Sequence, residues 1–443
     1  MPVSPGRAAA FDILLRVERE SSYASELLHS ATYKALSPPD HALATELVMG
    51  VLRWRSVLDS RIANASSQPL AKLDLEILIA LRLAVYQFGW LDRIPQRAAL
   101  HESVELVKRA RKHSAAPFVN AVLRKLSTLA FDSTVVSTSP AELAASCAHP
   151  LWLVERWARH YGLDAARGIC AHNQSVPGTS LRLRTPRAEN ELTEEGITLS
   201  PGCLLSSARR VVVGDITRTK AVRGRHAVIQ DEASQLVAAL VGSSEHKRRI
   251  LDCCAAPGGK TLAIADQNPN AAITAVELHP HRARLMETLF PKEPRIQIVV
   301  ADARALPVGH RFDHILADVP CSGTGTLARN PEIKWRMDPS DLKELQDRQL
   351  AILRSALTHL APGGRLIYST CSLEREENED VIEQALKKES SFRLVNVEAE
   401  LKRLKAEGRL WSPDPVSLTQ GPYLRTLPGI HPCDGFFAAI FEK

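Results

Sequence analysis

Hydrophobic residues recur every three or four positions through the first part of the chain, which is the spacing of amphipathic helices. The clearest stretch, 74–90, places its apolar residues on one helical face: Leu75, Leu78, Ile79, Leu83 and Tyr86. The same spacing predicts helices over 8–20, 40–63, 96–114 and 117–129. We therefore predict a compact all-helical domain over residues 1–132.

The periodicity changes after residue 235, where short apolar runs alternate with helical segments. Six runs have the length and composition of buried strands: 250–254, 272–277, 296–300, 314–317, 365–369 and 438–441. Alternating strands and helices are typical of a parallel sheet covered by helices on both faces. Residues 235–443 are therefore predicted to form a doubly wound, Rossmann-like α/β domain.

The region between these two parts is mixed. Residues 132–140, DSTVVSTSP, are small, polar and β-branched, which indicates a linker. Beyond it, one helix is predicted over 151–161, followed by short strands at 179–183, 211–213 and 227–230. A chain of 443 residues is long enough for two or three domains. We expect the third to be a small α+β domain over 141–234, whose function its pattern does not indicate.

The composition argues against a membrane protein and permits a nucleic-acid partner. Lys and Arg exceed Asp and Glu by six, a mild excess that permits a polyanionic partner. The basic run of Lys108, Arg109, Arg111 and Lys112 fits either a solvated helix end or a surface that faces RNA. The most apolar stretch, 75–90, is too short for a membrane span and contains Glu76 and Arg82.

Cysteine usage and the N-terminal sequence indicate a cytoplasmic protein. The first twenty residues have a charge in almost every helical turn and no uninterrupted apolar run, so they do not resemble a secretory signal. None of the eight cysteines forms a Cys-x-x-Cys pair, and no histidine spacing suggests zinc. We therefore expect reduced thiols and no metal.

A glycine-rich turn follows the first predicted strand of the α/β domain. In Ile250-Leu-Asp-Cys-Cys-Ala-Ala-Pro-Gly-Gly-Lys-Thr261 an apolar strand runs into glycines and then a helix, so backbone amides can approach a ligand closely. The glycine spacing excludes a P-loop. Three acids end the next strands: Glu277, placed to accept from ribose hydroxyls, Asp302 and Asp318. In a parallel sheet these acids share one edge, which also fits a dinucleotide oxidoreductase.

Two cysteines at strand ends change that interpretation. Cys321 lies in Asp-Val-Pro-Cys-Ser-Gly and Cys371 in Tyr-Ser-Thr-Cys-Ser, both at the same predicted edge. Carbon 5 of cytosine is a poor nucleophile until a thiolate adds to carbon 6, and the product must then lose the carbon 5 proton and the thiol. Two thiols and a carboxylate beside a methyl donor fit this chemistry, with Lys260 as the cation that favours a thiolate. The residues alone do not say which thiol attacks.

The segments Ala255-Ala-Pro-Gly-Gly-Lys260, Asp318-Val-Pro-Cys-Ser-Gly323 and Ser369-Thr-Cys-Ser372, in this order, resemble RNA 5-methylcytosine methyltransferases of the Sun/Fmu (RsmB) family. The helical N-terminal part, with Val119-Asn-Ala-Val-Leu-Arg124, resembles a NusB-like RNA-binding domain. The final Cys433-Asp-Gly-Phe-Phe437 resembles the closing strand of the family. The resemblance covers nearly the whole chain. It implies an S-adenosylmethionine-dependent methyltransferase acting on small-subunit (16S) ribosomal RNA.

The resemblance also implies roles for individual residues. Cys371 would be the nucleophile, Cys321 would assist release of the product, and Asp318 would serve the pocket and polarise the cytosine near N3. It further implies that S-adenosylmethionine is held by Cys254, Ala255, Ala256, Pro257, Gly258, Gly259, Lys260, Glu277, Asp302 and Asp318.

Some alternatives remain open from the sequence. Residues 326–336, TLARNPEIKWR, follow Cys321 and offer Arg329, Lys334, Trp335 and Arg336 to hold phosphate and stack a base, unless Trp335 packs inward. A methyltransferase of transfer RNA or of protein, and a non-catalytic RNA-binding assembly factor, are the competing functions. Intact Lys260, Asp318 and both cysteines argue against the non-catalytic factor.

Overall fold

The computed structural model describes residues 3–20, 22–129, 138–290, 293–307, 309–387 and 391–443, with the side chain of Lys34 left out. Within them the chain divides into two compact units, which are Met1–Val176 with Leu327–Arg336, and Pro177–Thr326 with Met337–Lys443. Helices between residues 140 and 174 therefore group with the N-terminal helices. Most of the predicted linker falls outside the described residues, and the three-domain division stays a prediction.

The described residues of the first unit form helices joined by loops, without a strand. Its helices are α1 Pro5–Glu20, α2 Ala24–Leu28, α3 Ala31–Lys34, α4 Pro38–Ala65, α5 Leu75–Trp90, α6 Gln96–Arg109, α7 Ala116–Leu126, α8 Pro140–Ser146, α9 Leu151–Tyr161 and α10 Leu163–Gln174. The five helices predicted from the N-terminal periodicity are confirmed, with ends shifted by a few residues. Their apolar faces form one core, in which Ile79 and Leu83 are buried. No helix of the described residues is long and apolar enough to cross a membrane.

The basic run at the end of α6 is largely paired within its own unit. Lys108 forms an ion pair with Glu105, Arg109 with Asp12, and Lys112 with Asp74. All three pairs are partly exposed, so each stabilises the fold only slightly. The paired charges fit the solvated helix end better than a surface reserved for RNA.

The second unit contains both sheets. Its strands are β1 Ser180–Leu183, β2 Thr198–Pro201, β3 Ala208–Val213, β4 Ala227–Ile229, β5 Arg249–Asp252, β6 Ala272–Glu277, β7 Ile296–Val300, β8 Phe312–Asp318, β9 Leu360–Thr370, β10 Arg393–Val395, β11 Thr419–Gln420, β12 Tyr423–Thr426 and β13 Phe436–Glu442. Its helices are α11 Arg187–Glu194, α12 Lys220–Arg223, α13 Glu232–Leu240, α14 Gly259–Gln267, α15 Pro280–Leu289, α17 Asp341–Thr358, α18 Glu379–Leu386 and α19 Val397–Ala406. The short helix α16, Ile333–Arg336, comes between α15 and α17 in the chain but belongs to the first unit.

The small sheet is antiparallel, in the order β2-β3-β1-β4. It has its own apolar cluster, which includes Leu181 and Leu192. Two of its arginines, Arg182 and Arg184, form ion pairs with Asp266 on α14, at 2.6 Å each. Through these pairs the small sheet contacts the helix that follows the glycine-rich turn.

The large sheet has the order β11-β12-β13-β9-β8-β5-β6-β7, with β10 paired to β13. Strands β5 to β9 are mutually parallel, and β10 to β13 are antiparallel to their neighbours. The chain leaves β5 toward β6 and β7 on one side and returns to β8 and β9 on the other. This reversal opens a crevice beyond the carboxyl ends of β5 and β8, which is where ligands bind in such sheets. The predicted α/β fold class is confirmed.

Candidate active site

The turn after β5 holds the backbone in a conformation that requires glycine. Gly258 has φ +104°, and a Cβ there would lie 3.0 Å from Cδ1 of Leu289. The amide of Gly258 donates to the carbonyl oxygen of Ala255 at 2.7 Å, and α14 then begins at Gly259. The predicted strand, turn and helix are therefore present in this order, and they direct the helix N-terminus toward the crevice.

A cavity of about 480 Å³ lies at this edge of the large sheet, a volume typical of small-molecule sites. Seven of the predicted site residues line it: Cys254, Ala256, Glu277, Asp302, Asp318, Cys321 and Cys371. The remaining five lie beside the cavity without lining its wall, in the turn or at the start of α14: Ala255, Pro257, Gly258, Gly259 and Lys260. The structure thus brings together the acids and the thiols that the sequence placed at separate strand ends.

The two acids on one side of the cavity are held by local hydrogen bonds. The carboxylate of Glu277 is buried and accepts from the backbone amide of His279 at 2.8 Å. Asp302 accepts from the backbone amide of Arg304 at 2.9 Å and pairs with its guanidinium at 2.6 Å. The hydrogen bonds from Arg304 lower the pKa of Asp302, so this carboxyl is ionised at neutral pH.

The two thiols meet on the other side of the cavity. Cys321 lies three residues beyond the end of β8 and Cys371 directly after β9, and their Sγ atoms are 3.4 Å apart. The hydrogen bond with Cys371, together with burial, raises the pKa of Cys321 well above its ordinary value. Cys321 therefore stays protonated at neutral pH.

A partly buried ion pair lies between the turn and the thiols. The Nζ of Lys260 lies 2.7 Å from Oδ2 of Asp318, and Oδ1 of Asp318 accepts from the hydroxyl of Ser369 at 2.7 Å. Burial opposes the charge on Lys260, but Asp318 and a negative charge on Cys371 together raise its pKa. The lysine ammonium also lies 5.1 Å from the ring centroid of Phe436. The site therefore keeps a permanent cation near Cys371.

Comparisons with known proteins cover both units. Residues 239–442 match the model of the 16S rRNA methyltransferase RsmB/F family, and residues 4–128 match the NusB family. The chain is 33% identical to a probable ribosomal RNA small subunit methyltransferase B of Bacillus subtilis, over 99% of this chain and 98% of that protein. It is 31% identical to ribosomal RNA small subunit methyltransferase B of Vibrio cholerae, over 99% and 97%. The chain belongs to the RsmB/F family.

Solved structures agree on the fold. The crystal structure of PH0851 superposes over 100% of both chains with a TM-score of 0.81 and 22% sequence identity. At that identity the likeness concerns the fold alone. The order of elements in this RsmB/F member, from the helical unit through the parallel strands to the antiparallel closing strands, is therefore shared with a solved protein.

The cofactor of this RsmB/F member is S-adenosylmethionine, and the cavity fits it. A sulfonium, an ammonium and ribose hydroxyls all interact favourably with carboxylates, and Glu277, Asp302 and Asp318 supply three carboxylates around one cavity. Glu277 sits at the end of β6 with most of its carboxylate shielded from water, which suits a bond to ribose hydroxyls. When bound, the cofactor supplies an electrophilic methyl group.

The segment 326–336, which was predicted to bind RNA, is packed against protein instead. Residues 327–336 belong to the helical unit, where Lys334 is buried and donates to the carbonyl oxygen of Arg53 at 2.9 Å. The indole of Trp335 donates to the carbonyl oxygen of Leu52, and Arg336 to two backbone carbonyls. The expectation that Lys334, Trp335 and Arg336 hold phosphate and stack a base is therefore wrong. The cations already bind the backbone, and Nζ of Lys334 lies over the ring of Trp335, 5.0 Å from its centroid.

Two glycines of the site were not singled out from the sequence. Gly325 donates to the carbonyl oxygen of Cys371 at 2.8 Å, and its own carbonyl accepts from the amide of Gly435 at 2.8 Å. A Cβ on Gly325 would lie 2.2 Å from the carbonyl oxygen of Gly435, so no larger residue fits. The turn that carries Cys321 is thereby packed directly against the backbone of the closing segment. The Gly-Thr-Gly sequence at 323–325 indicates a tight turn, but the residues that this turn packs against are distant in the chain and could not be predicted from it.

Proposed function

We propose that this chain transfers a methyl group from S-adenosylmethionine to carbon 5 of a cytosine in small-subunit ribosomal RNA. The observation that carries the proposal is the pair of thiols, 3.4 Å apart, at the wall of the cavity that also contains the three carboxylates. A methyl donor alone requires no thiol. Two thiols beside the donor match a reaction in which one thiol adds to the base and must later leave it.

Cys371 is the proposed nucleophile. Its neighbour Cys321 keeps its proton, and the ammonium of Lys260 provides the positive charge that a thiolate on Cys371 needs. The thiolate forms a bond to carbon 6 of the cytosine, and the ring electrons become available at carbon 5. Asp318, held by Lys260 and Ser369, is the proposed group near N3 of the base.

Cys321 is the proposed partner for release. After the methyl group has joined carbon 5, the carbon 5 proton must be removed, the ring double bond re-forms, and the bond between carbon 6 and the sulfur of Cys371 breaks. Cys321 lies within contact distance of that sulfur. Its protonated thiol is placed to donate a hydrogen bond to the sulfur of Cys371 as that sulfur departs as a thiolate, while the carbon 5 proton passes to solvent water.

The choice of ribosomal RNA rests on the relatives. The family model describes 16S rRNA methyltransferases, and the relatives in Bacillus subtilis and Vibrio cholerae are named for the small ribosomal subunit. Their alignments span nearly the whole of each chain, so the likeness includes the helical unit as well as the cavity. A base inside a helix cannot be attacked at carbon 6, so the target cytosine is unpaired or turned out of its stack.

Bisulfite sequencing tests reaction and substrate together. Ribosomal RNA from cells lacking this gene is incubated with the protein and S-adenosylmethionine, and the Cys371→Ala protein serves as the control. One newly protected cytosine in small-subunit RNA, absent from the control, is expected. If no ribosomal cytosine is protected, the ribosomal substrate is wrong and transfer RNA is tested in the same way.

A further inference from the structure

One buried carboxylate joins the two turns that carry the thiols. Glu377, at the end of the short helical turn Arg375–Glu377, is fully buried. Its carboxylate accepts from the backbone amide and the hydroxyl of Ser322, at 2.8 and 2.5 Å, and from the hydroxyl of Ser372. Ser322 directly follows Cys321, and Ser372 directly follows Cys371. A single side chain therefore binds the residue next to each thiol.

The carboxylate of Glu377 is itself fixed in place. The amide nitrogen of Gln349 donates to its Oε1 at 2.8 Å and to the carbonyl oxygen of Pro320 at 3.0 Å. The two serine hydroxyl oxygens are also 3.0 Å apart, so Ser322, Ser372 and Glu377 lie in mutual contact as one polar group. Because charged acceptors form the stronger hydrogen bonds, and this group is shielded from water, the relative position of the two turns depends on it.

We propose that Glu377 is a positioning residue that holds Cys321 and Cys371 at the separation needed to act on one base in succession. This inference rests on the proposed two-thiol function. The thiol that adds to carbon 6 and the thiol that assists release must reach the same ring without a rearrangement of the turns. A displacement of about 1 Å at a reacting group is enough to slow a reaction severely. The hydrogen bonds of Glu377 go to the serines beside the two sulfurs, so it positions the thiols through Ser322 and Ser372.

The first test measures the separation of the thiols without any substrate. Diamide oxidises the full-length protein in the absence of RNA and S-adenosylmethionine. A bond forms between the two sulfurs, and diamide takes up the two protons and two electrons to become the hydrazine. The Cys321–Cys371 disulfide is followed by mass spectrometry of peptides. Glu377→Gln keeps the shape of the side chain but removes its charge and one of its hydrogen-bond acceptors.

We expect the disulfide to form at least about tenfold more slowly in Glu377→Gln, since a lost buried hydrogen bond changes an equilibrium by roughly that factor. Glu383→Gln is the matched control, because Glu383 lies on the neighbouring helix α18 and is exposed, as is its ion pair with Arg375. An unchanged rate in a folded Glu377→Gln protein overturns the proposal. If that variant does not fold, the double variant Ser322→Ala with Ser372→Ala replaces it, with the same expected result.

The second test separates positioning from general stability. In Glu377→Gln we expect kcat for methylation to fall at least about tenfold, with KM for S-adenosylmethionine within about twofold of wild type. A role in stability alone would leave kcat of the folded fraction unchanged, which would contradict the proposal. The two proposals also fail differently. The wild-type protein could methylate no cytosine while the rate of disulfide formation still depended on Glu377. In that case Glu377 does hold the two turns together, and the proposed function is wrong.

Discussion

Nζ of Lys260 lies 2.7 Å from Oδ2 of Asp318, so the glycine-rich turn after β5 and the end of β8 share one ion pair. Both side chains are largely shielded from water, at 15% and 23% exposure, which makes the pair sensitive to the loss of either charge. Because a negative charge on Cys371 would raise the pKa of Lys260 further, the ammonium links the cofactor turn to the proposed nucleophile.

Replacing Lys260 by Met is expected to slow alkylation of Cys371 by iodoacetamide about tenfold at neutral pH, because a nearby cation stabilises the reactive thiolate. The measurement is the rate of carbamidomethylation of the peptide that contains Cys371, determined by mass spectrometry. Lys247→Met, an exposed lysine of the same unit, is expected to leave this rate unchanged. Equal rates in Lys260→Met and wild type would mean that Lys260 does not activate the thiol.

The two cysteines are expected to fail in different ways. Cys371→Ala removes the proposed nucleophile, so it should abolish methyl transfer and form no covalent complex with RNA. Cys321→Ala leaves the attack intact but impairs release, so it should accumulate a protein–RNA adduct that survives denaturing gel electrophoresis. If Cys371→Ala formed an adduct and Cys321→Ala did not, Cys321 would be the nucleophile and Cys371 the residue that assists release.

The candidate site could be predicted from the sequence to the extent that it follows from strand order. Glu277 and Asp318 end apolar runs, and the carboxyl ends of parallel strands necessarily share one edge. Cys321 and Cys371 were placed at the same edge by the same reasoning. Their distance, and the pairing of Lys260 with Asp318, depend on how the turns pack, which the pattern does not contain.

Residues whose partners are far away in the chain were not predicted correctly. The segment with Lys334 and Trp335 is basic and aromatic, so composition favoured an RNA-binding loop, but its partners are backbone carbonyls at Leu52 and Arg53. Glu377 lies among several acids in EREENED, and nothing local distinguishes it from them. Its burial and its bonds to Ser322 and Ser372 become visible only in three dimensions.

Asp252 at the end of β5 is expected to make the stability of the second unit depend on pH. Burial, reinforced by the charge of Asp318 and opposed by the hydrogen bond from Thr261, raises the pKa of Asp252 to about 7. The folded chain therefore binds this proton more tightly than the unfolded chain, whose aspartate pKa is about 3.9. The contribution of this proton to the free energy of unfolding is complete below about pH 4 and is lost as the pH rises through about 7.

Hydrogen exchange of the amides in β5 and α14, corrected for intrinsic rates, measures this effect between pH 5 and 8. Wild-type protection should decrease as the pH rises, and Asp252→Asn should remove much of that decrease. Asp347→Asn serves as the control, because Asp347 is exposed and its ion pair with Lys343 is exposed as well. A decrease that persists unchanged in Asp252→Asn would show that another group is responsible.

Lys334 is expected to give the helical unit the opposite dependence on pH. It is buried, donates to the carbonyl oxygen of Arg53, and burial lowers its pKa to about 7, with the charge of Arg53 adding to the effect. The unfolded chain, with a lysine pKa of about 10.4, therefore binds more protons between about pH 7 and 10. The free energy of unfolding should therefore rise with pH over this range. Below about pH 7 Lys334 is charged in the folded protein as well, and the full cost of burying its ammonium lowers the stability.

Lys334→Met should remove this rise without unfolding the unit, because the carbonyl oxygen of Arg53 keeps a second donor in Gln174 at 3.0 Å. Guanidinium unfolding followed by tryptophan fluorescence suits the measurement, since five of the six tryptophans lie in the helical unit: Trp54, Trp90, Trp152, Trp157 and Trp335. Lys125→Met is the matched control, because Lys125 also donates to a backbone carbonyl, that of Asn64, but is exposed. The control should keep the wild-type slope. A slope that survives in Lys334→Met would mean that Lys334 is charged in the folded protein and that the rise has another source.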